Sequence, residues 1–129
     1  MIYKEILNED MELDEDLLFE MANIVKSKSG LDVDIWSEHR GAERNTKHSL
    51  PRIKLSKNEM SIVTTISKSP EILSTSKGLG KDKAKREFSK GVKYVGDNYD
   101  IFEKHYMDTD DSFDDEALFS ALRNRGAYL

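Results

Sequence analysis

The sequence predicts a small α+β domain in which a short antiparallel sheet, containing a hairpin, packs against a long amphipathic helix, with helices at the N- and C-terminal ends flanking this pair. Three observations favour this class: strand-like alternation over residues 52–67, an apolar stripe at helical spacing over residues 84–106, and two shorter helical patterns towards the ends. The chain has 129 residues, enough for one hydrophobic core, so we expect a single domain over residues 1–129.

The first helix is predicted from about residue 14 to residue 28. Asp14 can cap its start, and Gly30 follows its last turn, where a glycine commonly ends a helix. Apolar residues recur at helical spacing and form one face of this segment, namely Leu17, Leu18, Met21, Ile24 and Val25. It would be the N-terminal flanking helix.

A half-buried strand is indicated by the alternating segment LDVDIWS, residues 31–37. The odd positions are aliphatic, and the even positions carry Asp32, Asp34 and Trp36. Residues 38–50 show no period and are predicted to be a long loop. Loops of about 12 residues without secondary structure are often functional or mobile.

The segments RIKLSK and MSIVTTIS, separated by Asn58 and Glu59, predict a β-hairpin. If these two residues form the turn, Leu55 lies opposite Ile62 and Lys57 lies opposite Met60. This register gathers the aliphatic side chains of both strands on one face, so register and hydrophobic pattern agree.

The other face of the hairpin is polar and positive, because it carries Arg52 and Lys54. One interpretation is that these side chains pair across the sheet with Asp32 and Asp34 of the neighbouring strand. The alternative is that they contact an acidic partner outside the protein.

Residues 69–81 are predicted to be a loop, because Pro70, Gly78 and Gly80 interrupt any regular pattern. The long amphipathic helix that follows would have about 26 residues. Gly91 and Gly96 each weaken it by about 1 kcal/mol relative to alanine, so we expect a bend or a close packing contact there. A last helix would begin with Ser112 as its N-cap and end before Gly126.

The net charge of −5 conceals three blocks. Residues 1–34 hold 3 basic and 10 acidic side chains, residues 35–96 hold 14 basic and 6 acidic ones, and residues 97–129 hold 3 basic and 9 acidic ones. A basic middle between acidic ends indicates either an anion-binding surface or internal neutralisation by the ends.

Several classes of site are disfavoured by the sequence. The chain has no cysteine, which removes disulfides, thiolate metal sites and cysteine nucleophiles. The acidic run from Asp108 to Glu116 lacks the glycine and the final carboxylate of an EF-hand loop, and the run SKGLGKDKAK lacks phosphate-loop spacing. We expect no catalytic residues, no metal and no cofactor, and neither a membrane span nor a secretion signal. The default location is the cytoplasm.

Candidate site residues cluster in the basic middle of the chain. Those expected to bind a partner or an anion are Arg40, Arg44, Lys47, His48, Arg52 and Lys54. An enzyme would have to rely on His39, Glu43 and His48 as its acid–base groups.

The segments HSLPRIKL and DNYDIFEKHY resemble the signature of a family of small bacterial proteins of unknown function. That signature is H-x-P-P-H-x-H on a strand, followed by a hairpin, an amphipathic helix and a tail like N-x-E-x-L-x-x-x-W, and the resemblance covers about residues 35–107. His48 and Pro51 match it, whereas Arg52 and Lys54 stand where the two alternating histidines would be, which puts a metal or acid–base role of the signature in question. The resemblance implies an accessory role, since such proteins are often encoded near toxin–antitoxin or mobile-element genes.

From these observations we expect a non-catalytic bacterial or phage-borne regulator or inhibitor that binds a protein partner through a charged surface. The alternatives are a nucleic-acid-binding module that uses the basic middle segment, and a small enzyme. A homodimer is compatible with either binding function.

Overall fold

A computed structural model of the protein describes residues 21–39 and 51–129. It shows a small α+β fold, which confirms the predicted class. The strands are β1 (Ala22–Ile24), β2 (Asp34–Ser37), β3 (Arg52–Lys57), β4 (Met60–Thr65) and β5 (Ile72–Thr75). The helices are α1 (Lys26–Ser29), α2 (Lys81–Glu87), α3 (Ser89–Asp97), α4 (Tyr99–Met107) and α5 (Asp115–Asn124).

The five strands form one antiparallel sheet in the order β1-β2-β3-β4-β5, so each strand pairs with its neighbour in sequence. The predicted hairpin register is confirmed, since Leu55 lies opposite Ile62 and Lys57 opposite Met60. Asn58 adopts a φ of 56°, the left-handed conformation that asparagine tolerates better than most residues. This conformation lets a two-residue turn close the hairpin without a glycine.

One face of the sheet forms the core with the helices. Ile35, Leu55 and Ile62 come from adjacent strands of this face and are fully buried. Phe88 and Phe102 cover them from the helical layer. Alternation along the strands therefore produces the inner face, and the helical stripe packs on it as predicted.

The predicted first helix is wrong over the part that the structure describes. Ala22–Ile24 pairs with Ile35–Ser37 as a strand, and Lys26–Ser29 forms one short helix that ends at Gly30. Ala22 and Ile24 are buried and Asn23 less so, which is the alternation of a strand. Long-range pairing with β2 outweighs the local helical spacing. Residues 14–20 of the predicted helix lie outside the described residues.

The predicted loop over residues 69–81 contains a fifth strand. β5 pairs with β4, and the register shifts between Val63 and Thr64, which marks a β-bulge. The strand has four residues and no strict alternation, so its pattern is too weak to separate from a loop. It forms one edge of the described sheet.

The predicted long helix is three shorter ones, α2, α3 and α4, separated by Phe88 and Asn98. Both residues have a φ near −115° and a small positive ψ, which interrupts the regular helix without reversing the chain. None of the described helices is long and apolar enough to cross a membrane.

Of the two alternatives predicted at the helical glycines, a bend or a close packing contact, the structure shows the close contact at both. A Cβ atom on Gly91 would lie 2.4 Å from Leu55 Cδ2 and 2.8 Å from Val33 Cγ2. A Cβ atom on Gly96 would lie 2.7 Å from the carbonyl oxygen of Lys68. Glycine is therefore required where α3 lies on the sheet and where it meets the β4–β5 connection.

Replacing Gly96 by alanine should destabilise the protein. The added methyl group meets a backbone oxygen, which cannot rotate away, so overpacking of about 1–3 kcal/mol should outweigh the gain in helix propensity. Urea unfolding of Gly96→Ala against wild type measures this change. Lys90→Ala, at an exposed position of the same helix, is the control and should stay within about 0.5 kcal/mol. A Gly96→Ala variant as stable as wild type would contradict the contact.

The last helix begins two residues later than predicted. Asp114 is its N-cap and accepts a hydrogen bond from the Ala117 N–H at 3.0 Å. The predicted cap, Ser112, instead donates its hydroxyl to Asp108 Oδ1 at 2.9 Å. Both residue types cap helices well, and the bond to Asp108 determines which one does so.

A bidentate ion pair joins the last two helices. Arg125 Nη1 and Nη2 each lie 2.8 Å from a carboxylate oxygen of Asp100. The hydrogen bonds from Arg125, against the opposing effect of burial, lower the pKa of Asp100 from 3.8 to about 2. This fork links the start of α4 to the end of α5.

The Asp100–Arg125 pair should contribute stability only above mildly acidic pH. The pKa of Asp100 is lower in the folded protein than in the unfolded chain, so its contribution is complete above about pH 4 and is lost as the pH falls towards about 2. Arg125→Gln should lower Tm by at most about 3 °C at pH 7, because the pair is largely exposed. In thermal melts the difference from wild type should close between pH 4 and pH 2. A difference that does not change over this range would contradict the assignment.

Candidate functional site

Two of the predicted partner-binding residues lie within the described residues, on the outer face of the sheet. Arg52 lies opposite Thr65, and Lys54 lies between Trp36 and Val63 in the strand register. The other four predicted binding residues lie outside the described residues; they are Arg40, Arg44, Lys47 and His48. Glu43, one of the acid–base groups predicted for an enzyme, lies outside them too.

Lys54 is a poor candidate for an exposed anion contact. Its side chain is half-buried, and burial lowers the pKa of its ammonium group. Val63, opposite Lys54 on β4, is almost completely buried. The outer face around Lys54 is therefore less hydrated than a free basic surface.

The predicted ladder of Asp32 and Asp34 with Arg52 and Lys54 is wrong in register. Asp34 lies opposite Ser56 and accepts a hydrogen bond from the Lys26 N–H at 3.1 Å. Asp32 Oδ2 lies 3.1 Å from Lys57 Nζ. Burial opposes a low pKa for Asp32, but the hydrogen bond and charge of Lys57 lower it overall. Asp34 therefore contacts the chain before β2, whereas Asp32 contacts the end of the hairpin through one of its carboxylate oxygens.

A second basic surface lies on α2 and α3, and its side chains are all exposed. We call it the α2–α3 basic surface, and it comprises Lys81, Lys83, Lys85, Arg86 and Lys90. The described residues provide no ion-pair partner within 4 Å for these five cations. The surface is therefore a cluster of hydrated charge with a net positive sign, within which Asp82 is the one acid.

One acid, Asp82, lies within this surface in the first turn of α2, and the two other acids of α2 and α3 are engaged elsewhere. Glu87 Oε1 lies 3.1 Å from Lys57 Nζ, which also contacts Asp32. Asp97 forms an i,i+4 pair with Lys93 at 2.9 Å. The α2–α3 basic surface therefore keeps a net positive charge, with Asp82 as the one acid of α2 and α3 that the described ion pairs leave beside its five cations.

A groove of about 580 Å³ borders this surface where α2 and α3 meet the start of β5. Its apolar lining is Pro70, Ile72 and Val92, and three lysines, Lys81, Lys85 and Lys93, project around it. Glu71 and Ser89 complete the lining. The groove combines a small apolar floor with a cationic rim, which suits an anionic ligand that also carries apolar groups.

A buried polar network lies at the other end of the helical layer. Ser37 Oγ lies 2.8 Å from His105 Nδ1, and His105 Nε2 lies 2.8 Å from Asp115 Oδ1. A carboxylate only accepts hydrogen bonds, so His105 donates from Nε2 and accepts the Ser37 hydroxyl proton at Nδ1. Burial, more than the opposing effect of Asp115, lowers the pKa of His105 and so favours the neutral ring.

His39 extends this network towards the surface. Its ring stacks on His105 with 5.1 Å between centroids, and its Nε2 lies 2.5 Å from Asp108 Oδ2. Burial would raise the pKa of Asp108, but hydrogen bonds from His39, the Phe113 backbone and Ser112 hold it well below its usual range.

His39, Asp108 and Asp111 are the group among the described residues that could hold a metal ion. One atom from each lies within 4.8 Å of the others. However, the ring of His39 lies between the two carboxylates, with Nε2 towards Asp108 and Nδ1 3.8 Å from Asp111. A metal ion would have to displace the His39–Asp108 hydrogen bond, because those two atoms already face each other.

The order Ser37–His105–Asp115 matches the order of a hydrolytic triad, but its setting does not favour catalysis. Ser37 and His105 are each 0% exposed, so a substrate carbonyl cannot approach the hydroxyl in this conformation. The network instead joins β2, α4 and α5 through one ring.

Sequence reasoning did not find this network. The single signal was the spacing of His105, which falls on the core-facing stripe of the long helix three residues after Phe102. The partners Ser37 and Asp115 lie 68 and 10 residues away and are brought together by the fold.

His105→Ala should destabilise the protein by about 2–4 kcal/mol. It removes a buried ring and leaves the buried hydroxyl of Ser37 without its partner. Urea unfolding measures the loss in the free energy of unfolding. The control is Glu103→Ala, at an exposed position of the same helix, which should change this free energy by less than about 0.5 kcal/mol. Equal effects of the two substitutions would show that the network does not hold the layers together.

The chain matches no protein-family model, no curated protein and no solved structure. The resemblance to the H-x-P-P-H-x-H family stays a prediction. A functional assignment therefore has to be argued from the charges, contacts and grooves of the chain itself.

Proposed function

We propose that the protein is a non-catalytic binding protein that acts on an acidic protein partner through the α2–α3 basic surface, as a regulator or inhibitor of that partner. The observation that carries the proposal is the absence, among the described residues, of any ion pair to the five cations of this surface. Exposed like charges at close spacing repel each other. Binding an acidic partner therefore reduces an electrostatic repulsion that is present in the free protein.

A protein partner is favoured over nucleic acid by what surrounds the basic surface. The adjoining groove has an apolar floor of Pro70, Ile72 and Val92, which a phosphate backbone does not use. The opposite part of the helical layer carries the acids of α4 and α5, which would repel a long polyanion. The cations of α2 and α3 are not interleaved with exposed aromatic side chains for base stacking, since Phe88 and Tyr94 of this part of the chain are buried.

The cytoplasmic location and the bacterial or phage context belong to this proposal, since they follow from the composition and from the resemblance described above. An accessory role near toxin–antitoxin or mobile-element genes is compatible with a small protein that binds and modulates another protein.

Charge reversal on the basic surface should abolish partner binding. Wild type and Lys83→Glu/Lys85→Glu/Lys90→Glu are immobilised and exposed to a nuclease-treated bacterial lysate, and bound proteins are identified. A control, Lys26→Glu/Lys28→Glu/Lys104→Glu, carries the same charge change at exposed lysines outside the surface. We expect at least a tenfold loss of a specific protein for the first variant and retention for the control.

Two outcomes would count against the proposal. Equal loss in both variants would show that net charge, not this surface, governs binding. Retention of DNA or RNA from an untreated lysate, weakening steeply between about 50 and 200 mM salt, would assign the surface to nucleic acid instead.

A further inference from the structure

We infer that the groove between the start of β5 and helices α2 and α3 binds a free α-amino acid with a large apolar side chain. The carboxylate of the ligand lies at Lys81 and Lys85, its ammonium group lies at Glu71, and its side chain packs on Ile72 and Val92. This small-molecule site goes beyond the proposed function and does not depend on the identity of the protein partner.

One side of the groove is a single stripe along α2 and α3. Lys81, Lys85 and Ser89 follow one another at four-residue spacing, and Val92 and Lys93 continue the same side. The stripe brings two amines and a hydroxyl group to the groove, followed by an apolar side chain and a third amine. The helical side of the groove is therefore cationic.

The other side of the groove is the chain that leads into β5, and it carries an acid. Pro70, Glu71 and Ile72 line the groove from this side. The Glu71 N–H donates to Thr65 Oγ1 at 2.9 Å, and the Glu71 carbonyl oxygen accepts from the Thr65 N–H at 2.9 Å. The backbone that carries this carboxylate is thus anchored on β4, and the groove has an anionic side as well as a cationic one.

Close contacts hold the two sides of the groove in place. A Cβ atom on Gly96 of α3 would lie 2.7 Å from the carbonyl oxygen of Lys68 and 3.1 Å from Pro70 Cδ. The Thr75 hydroxyl donates to the carbonyl oxygen of Leu79 at 2.8 Å, which joins β5 to the chain that enters α2. The groove is therefore formed without a ligand, so binding does not have to order it.

The opposite charges of the lining do not neutralise each other. Among residues 21–39 and 51–129, Glu71, Lys81 and Lys85 have no ion-pair partner within 4 Å, either in the groove or outside it. One carboxylate and two amines of the same groove are therefore available to a ligand that carries both charges.

The acids of α2 and α3 leave this balance unchanged. Asp82 is next to Lys81 in sequence but is not part of the groove lining. Asp97 pairs with Lys93 at 2.9 Å, and Glu87 pairs with Lys57 at 3.1 Å. Lys93 therefore adds little net charge, and the recognition of charge rests on two amines and one carboxylate.

The combination of charges and apolar floor selects an α-amino acid. A ligand with only a carboxylate would place no cation at Glu71, and a ligand with only an amine would place no anion at the lysines. An α-amino acid carries both charges on one carbon, and the Ser89 hydroxyl can donate to its carboxylate. The volume of about 580 Å³ lies in the range of small-molecule pockets, with room for an aromatic side chain on Ile72 and Val92.

The test titrates the full-length protein with L-phenylalanine and follows the backbone amide resonances by NMR. We expect saturable shifts centred on Ile72, Ser89 and Val92, with a Kd between about 0.05 and 1 mM for a ligand of this size. Hydrocinnamate, which lacks the amine, and phenethylamine, which lacks the carboxylate, keep the same aromatic body. Each should bind at least about fivefold more weakly than phenylalanine.

Protein variants assign each charge of the ligand to its side of the groove. Glu71→Gln should weaken phenylalanine at least about threefold without weakening hydrocinnamate, because hydrocinnamate has no amine to lose. Lys81→Gln/Lys85→Gln should weaken phenylalanine at least about fivefold without weakening phenethylamine. Lys83→Gln/Lys90→Gln has the same charge change at exposed positions outside the groove, and its Kd for phenylalanine should stay within about twofold of wild type.

Three results would overturn the inference. The first is the absence of shifts with phenylalanine up to about 10 mM, and the second is a set of shifts centred away from the groove. The third is hydrocinnamate binding as tightly as phenylalanine together with no effect of Glu71→Gln, since the site would then recognise only an anion. None of these results bears on the proposed function, which is judged by protein capture from the lysate with Lys83→Glu/Lys85→Glu/Lys90→Glu.

Discussion

The contact between Gly91 and the side chains of Leu55 and Val33 determines how the helical layer lies on the sheet. A methyl group at Gly91 would be only 2.4 Å from Leu55, so the backbone of α3 rests directly on the inner face. Phe88 and Val95, one turn to either side, are fully buried beside it. The rotation of α2 and α3 about their axes is thereby fixed, and with it the outward direction of their lysines and the width of the groove beside β5.

The acidic and basic residues, which form separate blocks in the sequence, have different surroundings in the two parts of the helical layer. In α4, α5 and the loop between them, acids have internal partners: Asp100 has Arg125, Asp108 has His39, and Asp115 has His105. On α2 and α3 the cations outnumber the acids, because Glu87 is held by Lys57 and Asp97 by Lys93, which leaves Asp82 beside the five cations of the α2–α3 basic surface. The fold thus gives several acids of one block internal hydrogen-bond partners and leaves most cations of the other block exposed without an ion pair among the described residues, and that asymmetry is the basis of the proposed function.

Sequence patterns predicted the parts of the fold that rest on local periodicity. The hairpin register around Asn58 and the close contacts at Gly91 and Gly96 followed from spacing and from the cost of glycine in a helix. β1 and β5 were missed because each has only three or four residues, too few for a periodic pattern, and is stabilised by pairing with the next strand. The His105 network was missed because Ser37 is 68 residues away and only tertiary contact brings it to the ring.

The single tryptophan, Trp36, places a fluorescent side chain on one face of the sheet only. Trp36 lies on the face opposite the helices, and its indole N–H donates to Ser56 Oγ at 3.0 Å. Its emission therefore reports on the polarity around the outer face, and Trp36 lies three strands away from β5 in the sheet. A ligand that quenches tryptophan fluorescence without unfolding the protein would reveal an event on the far side of the sheet from the lysines.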